Sequence, residues 1–294
     1  MQIQRIAILS PGDMGHAVGR EFRASGLEVM TCLSGRSPRT CRMAELAGFR
    51  TVPSLEALAE QADLILSILV PEAAVALAEA VAKAVSNTGC RPVFADCNAI
   101  SPATSSRIQG IISAAGGRYL DASIIGPPPG QGQPPRFYVS GSNADAMGQL
   151  DGRGIAVKWI GSQIGRASAI KMCYAGLTKG TLALHAAVLT SAEALGLSDE
   201  LRSELAYSQG QKLKAMEQVR RVPAKAFRWI AEMEEIARTF GSVGVTPDIH
   251  SGAAEVFRMI AESDLGGERT DTLDRDRTLP QTVSKLAESL KPKP

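Results

Sequence analysis

The sequence predicts an α/β protein in which a doubly wound parallel sheet is followed by an all-helical domain. Three observations predict it. Short apolar runs alternate with helical patterns through the first half. A glycine-bearing turn separates the first apolar run from the first helical stretch. From Arg166 onward strand signals almost disappear. The expected division is 1–163 for the sheet domain and 164–294 for the helical one, with a long interdomain helix joining them.

The elements follow in order. Ile6 to Leu9 reads as a strand, Ser10 to Gly15 as a tight turn and the residues after it as a helix. Leu27 to Leu33 is a second strand, and Arg39 to Ala47 a helix after the loop Ser34 to Pro38. Ser54 caps a short helix ahead of the strand Leu64 to Val70; an Ala-rich helix, Glu72 to Val85, and a strand, Pro92 to Ala95, come next. Ser101 caps a helix with Pro102 at its first position, where the missing N–H would have no partner anyway. Gly117 to Ile125, Phe137 to Ser140 and Ile155 to Ile160 are strand-like, interrupted by the Pro/Gly-rich loop Gly126 to Pro135. From Arg166 the pattern sustains one helix of about 30 residues, roughly 45 Å long. Ser198 to about Ser263 is helical, with Phe227, Ile230, Met233 and Ile236 spaced as core positions and breaks near Pro223, Gly241 to Gly244 and Pro247. The tail after Asp264 reads as charged and mobile, apart from a terminal helix in LPQTVSKLAESL.

Composition narrows the function. With 294 residues, 45% hydrophobic and 21% charged, the chain has material for two domains and a sizeable core. A formal charge of +2 and no aromatic-interleaved basic patch argue against nucleic acid. The apolar run Leu64 to Val70 is far shorter than the roughly 20 residues that span a bilayer, so no membrane segment is expected. The first strand starts within a few residues of Met1, which leaves no room for a signal peptide and predicts a cytoplasmic protein. Five cysteines without Cys-x-x-Cys spacing and three scattered histidines predict no metal; each cysteine reads as a reduced, partly buried small hydrophobe.

The turn Ser10-Pro11-Gly12-Asp13-Met14-Gly15 approximates Gly-x-Gly-x-x-Gly, with Ser10 in the first glycine's place. Such a turn lets backbone amides approach a pyrophosphate and sets the phosphates on a helix N-terminus, the hallmark of a Rossmann-like sheet. At the end of the second strand no acid is present to accept from a ribose 2′-OH. Ser34, Arg36, Ser37, Arg39 and Thr40 stand there instead, a set suited to a 2′-phosphate, so NADP is expected rather than NAD.

Four blocks in order now carry a family resemblance over nearly the whole chain: SPGDMG, ADLILSILVPEAA, DASIIGPPPG and IGRASAIKMCYA. The chain resembles the β-hydroxyacid dehydrogenases, relatives of 6-phosphogluconate and 3-hydroxyisobutyrate dehydrogenases, with a variant phosphogluconate-dehydrogenase-like C-terminal domain marked by WIAEMEEIA. The resemblance implies that Ser10, Gly12, Asp13, Met14, Gly15, Ser34, Arg36, Arg39, Leu69, Val70, Pro71 and Asn98 contact the cofactor. It implies Lys171 as general acid/base and, through DASIIGPPPG, sets Ile125 and Gly126 at the substrate, where the residue types of Ser123, Tyr174 and Thr178 make them further candidates. A neutral lysine can take a hydroxyl proton as hydride leaves, and its ammonium can return one. It also implies a homodimer acting on a small molecule.

Two departures matter. Ile125-Gly126-Pro127 replaces the family's Ser-Gly-Gly, and Ala175 stands where an asparagine usually follows the lysine by four residues. Polar partners for a hydroxy acid are lost, with Ser123, Tyr174, Thr178 and Lys179 as possible substitutes. The leading expectation is an NADP-dependent oxidoreductase of a β-hydroxy-acid-like alcohol or carbonyl. The alternatives are an imine or enamine reductase, favoured by the loss of polar groups, and an NADPH-binding regulatory protein without turnover; Lys171 counts against both.

Overall fold

A computed structural model describes residues 2–290. Contacts divide the chain into two compact units, Met1–Met172 and Cys173–Pro294. The division falls at Met172–Cys173, further along the chain than the expected 163/164, because the first turns of the long helix are bonded to the sheet by residues described below.

The first unit is an eight-stranded sheet in the order β3-β2-β1-β4-β5-β6-β7-β8. Its strands are β1 (Arg5–Leu9), β2 (Glu28–Cys32), β3 (Arg50–Val52), β4 (Leu64–Ser67), β5 (Val93–Asp96), β6 (Arg118–Ile125), β7 (Arg136–Ser140) and β8 (Ala156–Trp159). Its helices are α1 (Asp13–Ala24), α2 (Pro38–Leu46), α3 (Leu55–Gln61), α4 (Ala74–Thr88), α5 (Pro102–Ala114) and the short α6 (Asp145–Gly148). Along β1, Ile6 and Ile8 enter one buried cluster while Ala7 and Leu9 enter another, so both faces of the sheet are covered and the strands read as continuous apolar runs.

The sheet is not wholly parallel. β6 and β7 pair antiparallel, with Asp121 opposite Ser140 and Ile125 opposite Arg136. The loop between them, 126–135, carries no helix, and a parallel return needs a crossover of about a dozen residues or more. β3 and α6 went unread in the sequence, since Arg50–Val52 is too short and polar to show a period. The capping expectations hold: Ser54 accepts from the Ala57 amide and Ser101 from the Thr104 amide.

Helix α7 (Arg166–Ala194) leads from the first unit into the second. The second unit continues with α8 (Ser198–Ser208), α9 (Gly210–Met216), a 3-10 turn at Glu217–Arg221, α10 (Pro223–Ser242), α11 (Asp248–Ala261) and α12 (Leu279–Glu288). Met233 and Ile236 of α10 and Phe257 and Ile260 of α11 are fully buried. Phe227 is not core: it is 36% exposed, with the Arg269 guanidinium 4.2 Å from its ring centroid. The segment after Asp264 is better anchored than a mobile tail. Leu265 is buried, Arg277 is buried and ion-paired to Glu268, and Thr278 with Gln281 forms a capping box that starts α12. The last part of that tail, 291–294, lies outside the described residues. Cys173 is exposed rather than partly buried.

Candidate active site

The sheet order reverses between β1 and β4, and the strand ends beside such a switch are where α/β sheets bind ligands. The turn after β1 is built for close approach. Ser10 has φ +60°, the left-handed region that favours glycine, and is the one non-glycine residue with positive φ among the described residues. Its backbone thus takes a conformation that glycine adopts without steric cost, at the place of the motif's first glycine. The Gly12 amide donates to the Ser10 carbonyl at 2.7 Å, and Gly12 precedes the first residue of α1.

The two remaining glycines serve different needs. A Cβ on Gly12 would meet only the Ser10 carbonyl oxygen, 4.0 Å away, so the space over it is open to a ligand. A Cβ on Gly15 would lie 3.2 Å from Ile8 Cγ2, so this glycine serves the packing of α1 on β1. Gly19, one turn further, is tighter still: its Cβ would overlap the Phe49 ring and come within 2.9 Å of Ile8 Cδ1. The sequence signal for Gly19 was a glycine inside a helical pattern, which reads as a weak helix former until its neighbour is known.

The loop after β2 holds Ser34, Arg36, Ser37 and Arg39. Ser37 caps α2 by accepting from the Thr40 amide. Arg39 reaches back to Asp13, Nη2 to Oδ1 2.5 Å, tying this loop to the glycine turn. Arg36 differs: its Nε is buried with no hydrogen-bond partner. A buried N–H donor without an acceptor is costly, and an anion at this loop would supply one. Open space over Gly12 and an orphaned guanidinium donor together fit a phosphorylated dinucleotide. Met14 packs against the core.

The ends of β4 and β5 are joined by Asn98. Its Oδ1 accepts from the Leu69 amide at 2.6 Å, and its Nδ2 donates to Ser67 Oγ at 2.8 Å and Asp96 Oδ2 at 3.0 Å. Asn98 is 3% exposed, so it fixes the backbone that presents Leu69, Val70 and Pro71 rather than offering its own amide to a ligand. Val70 is exposed and Pro71 opens the 3-10 turn before α4.

At the end of β6 the Lys171 ammonium donates to the Ile124 carbonyl at 2.9 Å. β1, β4, β5 and β6 run parallel, so Lys171 and the glycine turn lie at the same carboxyl edge of the sheet. Ser123 is corrected: it is fully buried and its hydroxyl donates to the Ala167 carbonyl at 2.7 Å, which holds α7 and leaves nothing for a substrate. Ile125 is buried, while Gly126 is exposed with φ +124° at the mouth of the proline loop.

Tyr174 and Thr178 belong to the second unit. Tyr174 is 47% exposed, and Thr178 Oγ1 donates to the Tyr174 carbonyl at 3.1 Å. Lys179 is ion-paired to the buried Glu232 and lies 5.5 Å from the Trp229 ring centroid. Its charge is already answered, so it does not replace the lost polar groups. Ala175 is buried.

The residue that sequence reading missed is Asp121, fully buried in β6. It lay in view inside DASIIG, and an acid in a buried strand always needs partners. Here burial together with the Asp96 and Asp121 charges pushes the Tyr119 hydroxyl and the Cys97 thiol well above their usual pKa, so both stay protonated.

Fold and site define a dinucleotide-binding oxidoreductase. The NAD binding domain of 6-phosphogluconate dehydrogenase matches residues 5–150, and a domain of unknown function, DUF1932, matches residues 192–260. An uncharacterised 28.5 kDa protein from Methanothermus fervidus is 29% identical over 208 residues, 71% of this chain and 78% of that protein. MTH1747, a conserved protein of unknown function described as structurally similar to 3-hydroxyacid dehydrogenases, is 27% identical with a TM-score of 0.63, over 87% of this chain and 96% of the other. The 3-hydroxyisobutyrate dehydrogenase of Mycobacterium tuberculosis shares the fold at a TM-score of 0.67 and 19% identity, over 98% and 99% of the two chains. The chain belongs to the 6-phosphogluconate-dehydrogenase-like family of NAD(P)-dependent oxidoreductases. Among the described residues no helix is long and apolar enough to cross a membrane.

Proposed function

We propose that this protein is an NADP-dependent oxidoreductase that interconverts a small alcohol and its carbonyl, on a β-hydroxy-acid-like substrate, with Lys171 as general acid/base. The observation that carries the reading is the shared carboxyl edge. An open glycine turn ends β1, and a lysine ammonium is fixed at the end of β6 on the same side of the sheet.

The nicotinamide supplies or accepts the hydride. The chain does the rest. Gly12 leaves room for the phosphates at the start of α1, whose unsatisfied N–H groups favour negative charge. Arg36, with Ser34 and Arg39 beside it, favours the 2′-phosphate, and Asn98 fixes the Leu69–Pro71 backbone beside the switch point. Lys171 moves one proton at Nζ, to the carbonyl oxygen in reduction or from the hydroxyl in oxidation. Its present acceptor, the Ile124 carbonyl, is a neutral oxygen that a substrate oxygen can replace. Turnover of NADPH with a panel of hydroxy acids, aldehydes and cyclic imines tests the reading; an absence of alcohol or carbonyl turnover would sink it.

One observation favours a second reading, imine or enamine reduction. Ala175 and Ile125 are apolar and buried where family members carry polar groups. Cyclic imines as the sole active class would establish it, and tight NADPH binding without any turnover would leave a regulatory protein.

The same reading includes a cytoplasmic homodimer, in keeping with five free cysteines. In the second unit Leu177, Leu184 and Leu195 are 62–72% exposed, and a recess of about 620 Å³ is lined by Val188, Ala192, Leu197 and Leu201. Apolar surface of this kind favours a self-complementary contact. A stable monomer by light scattering at micromolar concentration would contradict it.

A further inference from the structure

We propose that Asp121 is the positioning residue for Lys171. Its carboxylate is fully buried and accepts from six donors. Oδ1 takes the hydroxyl protons of Ser105 at 3.0 Å and Ser168 at 2.6 Å. Oδ2 takes the Ser140 hydroxyl at 2.8 Å and the backbone amides of Gly165, Ala167 and Ser168 at 2.9, 2.9 and 3.2 Å. Since the Ser105 proton goes to Asp121, the protonated Tyr119 hydroxyl is the donor in its 2.8 Å bond to Ser105.

Four of these bonds come from Gly165, Ala167 and Ser168, at the start of α7. Those amides are orphans of the helix N-terminus, and an anion is the partner that both their geometry and the helix dipole favour. Gly165 has φ +93°, and a Cβ there would press on Pro102 at 3.1 Å, so the helix starts close against α5. Ser123, on the same face of β6 as Asp121, accepts nothing from α7 but donates to its Ala167 carbonyl.

Lys171 follows Ser168 by three residues, one turn along the same helix face. Its ammonium returns to β6 at the Ile124 carbonyl. Strand and helix are thus bonded at Asp121, Ser123 and Ile124, and the bonds at the helix start, four of them on Asp121, decide where the Lys171 contact falls. A loosened first turn tilts the axis that carries Lys171 Nζ. The positioning stands on these bonds alone; its consequence for chemistry rests on the reading of Lys171 as acid/base.

Trace acetylation of the full-length protein at pH 7.5, read by mass spectrometry as Lys171 relative to exposed Lys83, tests the positioning without a substrate. In Asp121→Ala, Lys171 labelling should rise about two- to ten-fold, the equilibrium equivalent of one ordinary hydrogen bond. Asp121→Asn should fall between, because an amide oxygen still serves the three backbone N–H groups while its NH₂ faces hydroxyls that can turn to accept. Should Asp121→Ala not fold, Asp121→Asn and Ser168→Ala carry the test. Leu150→Ala, which opens a cavity elsewhere in the core, should leave the ratio unchanged. Wild-type labelling in the Asp121 and Ser168 variants, or an equal rise in Leu150→Ala, would overturn the proposal. Turnover by Lys171→Ala separately judges the acid/base reading: in that case kcat, not KM, should fall in Asp121→Asn.

Discussion

The two units bury polar groups in opposite ways. In the first, Asp121 is closed by six donors and Asn98 by three partners, so the frame around Lys171 is held by bonds that cannot be lost singly without exposing a buried charge or amide. In the second, His185 and His250 are buried with Nδ1 unpartnered. Burial lowers the pKa of both rings, with Lys212 adding to the effect at His185. The first unit uses polar burial to fix geometry. The second pairs its buried Arg277 with Glu268 but leaves two imidazoles as a dependence on protonation. Within the first unit the exceptions among the described residues are Thr31 Oγ1 and Arg36 Nε, and Arg36 lies where an anion is proposed.

The largest effect expected is at Lys171. If the closed frame exists to hold a proton-transfer group, Lys171→Ala should lower turnover by about two to four orders of magnitude and leave NADPH affinity within about two-fold. Steady-state kinetics and cofactor fluorescence titration separate these quantities. Nearly unchanged turnover would mean that the frame serves stability alone. Next comes Arg36. Arg36→Asp should erase or reverse a preference for NADPH over NADH, by about 1.5–3 kcal/mol or roughly 10- to 150-fold. Equal affinity of the unmodified protein for both cofactors would break the link between the orphaned Nε and a phosphate.

These residues differ in how visible they were. The glycine turn, the arginine loop and the caps at Ser54 and Ser101 are local, set by residue types within a few positions, and sequence reading placed them within a residue or two. Asp121 and Ser123 were visible as residues but not as roles, because their partners on α7 lie far along the chain. Ser123 looked like a polar group for a substrate and is a bond donor to α7. Phe227 looked like core because its spacing matched Met233 and Ile236, yet burial along α10 is interrupted at 227–231, between Ala226 and Glu232. Periodicity names a face and not its limits.

A stability test of intermediate size probes the packing beneath the cofactor turn. Gly19→Ala puts a methyl into the Phe49 ring and against Ile8, so it should destabilise the first unit by about 1–3 kcal/mol. Urea unfolding measures it. Gly12→Ala, with open space over it, should cost little stability but weaken NADPH binding. If Gly19→Ala were neutral and Gly12→Ala unfolded the protein, the division of labour between these glycines would be reversed.

The smallest effect distinguishes the units by pH. His185 and His250 have folded-state pKa values below the ordinary 6.5, so on acidification the unfolded chain takes up protons first. Their stabilising contribution is complete above pH 6.5 and declines as the pH falls from there toward the folded values, by at most about 1.4 kcal/mol per pH unit for each ring. His250 sits 4.3 Å from the Phe240 ring centroid and against Gly176 and Gly180, with its buried Nδ1 unpartnered. The first unit offers a carboxylate contrast at Asp63. Burial pushes that group up, but hydrogen bonds from the Gln4 and Arg5 amides and the Arg5 guanidinium outweigh it, and the net shift is below 3.8. Its contribution is therefore intact at pH 5 and lost only as the pH falls below about 3.8 through its folded value. Hydrogen exchange between pH 7 and 5, corrected for intrinsic rates, should show protection declining in α11 while the Gly165 and Ala167 amides hold theirs. His250→Gln should flatten the decline in α11. A parallel decline in both units would show that the histidines do not set the difference.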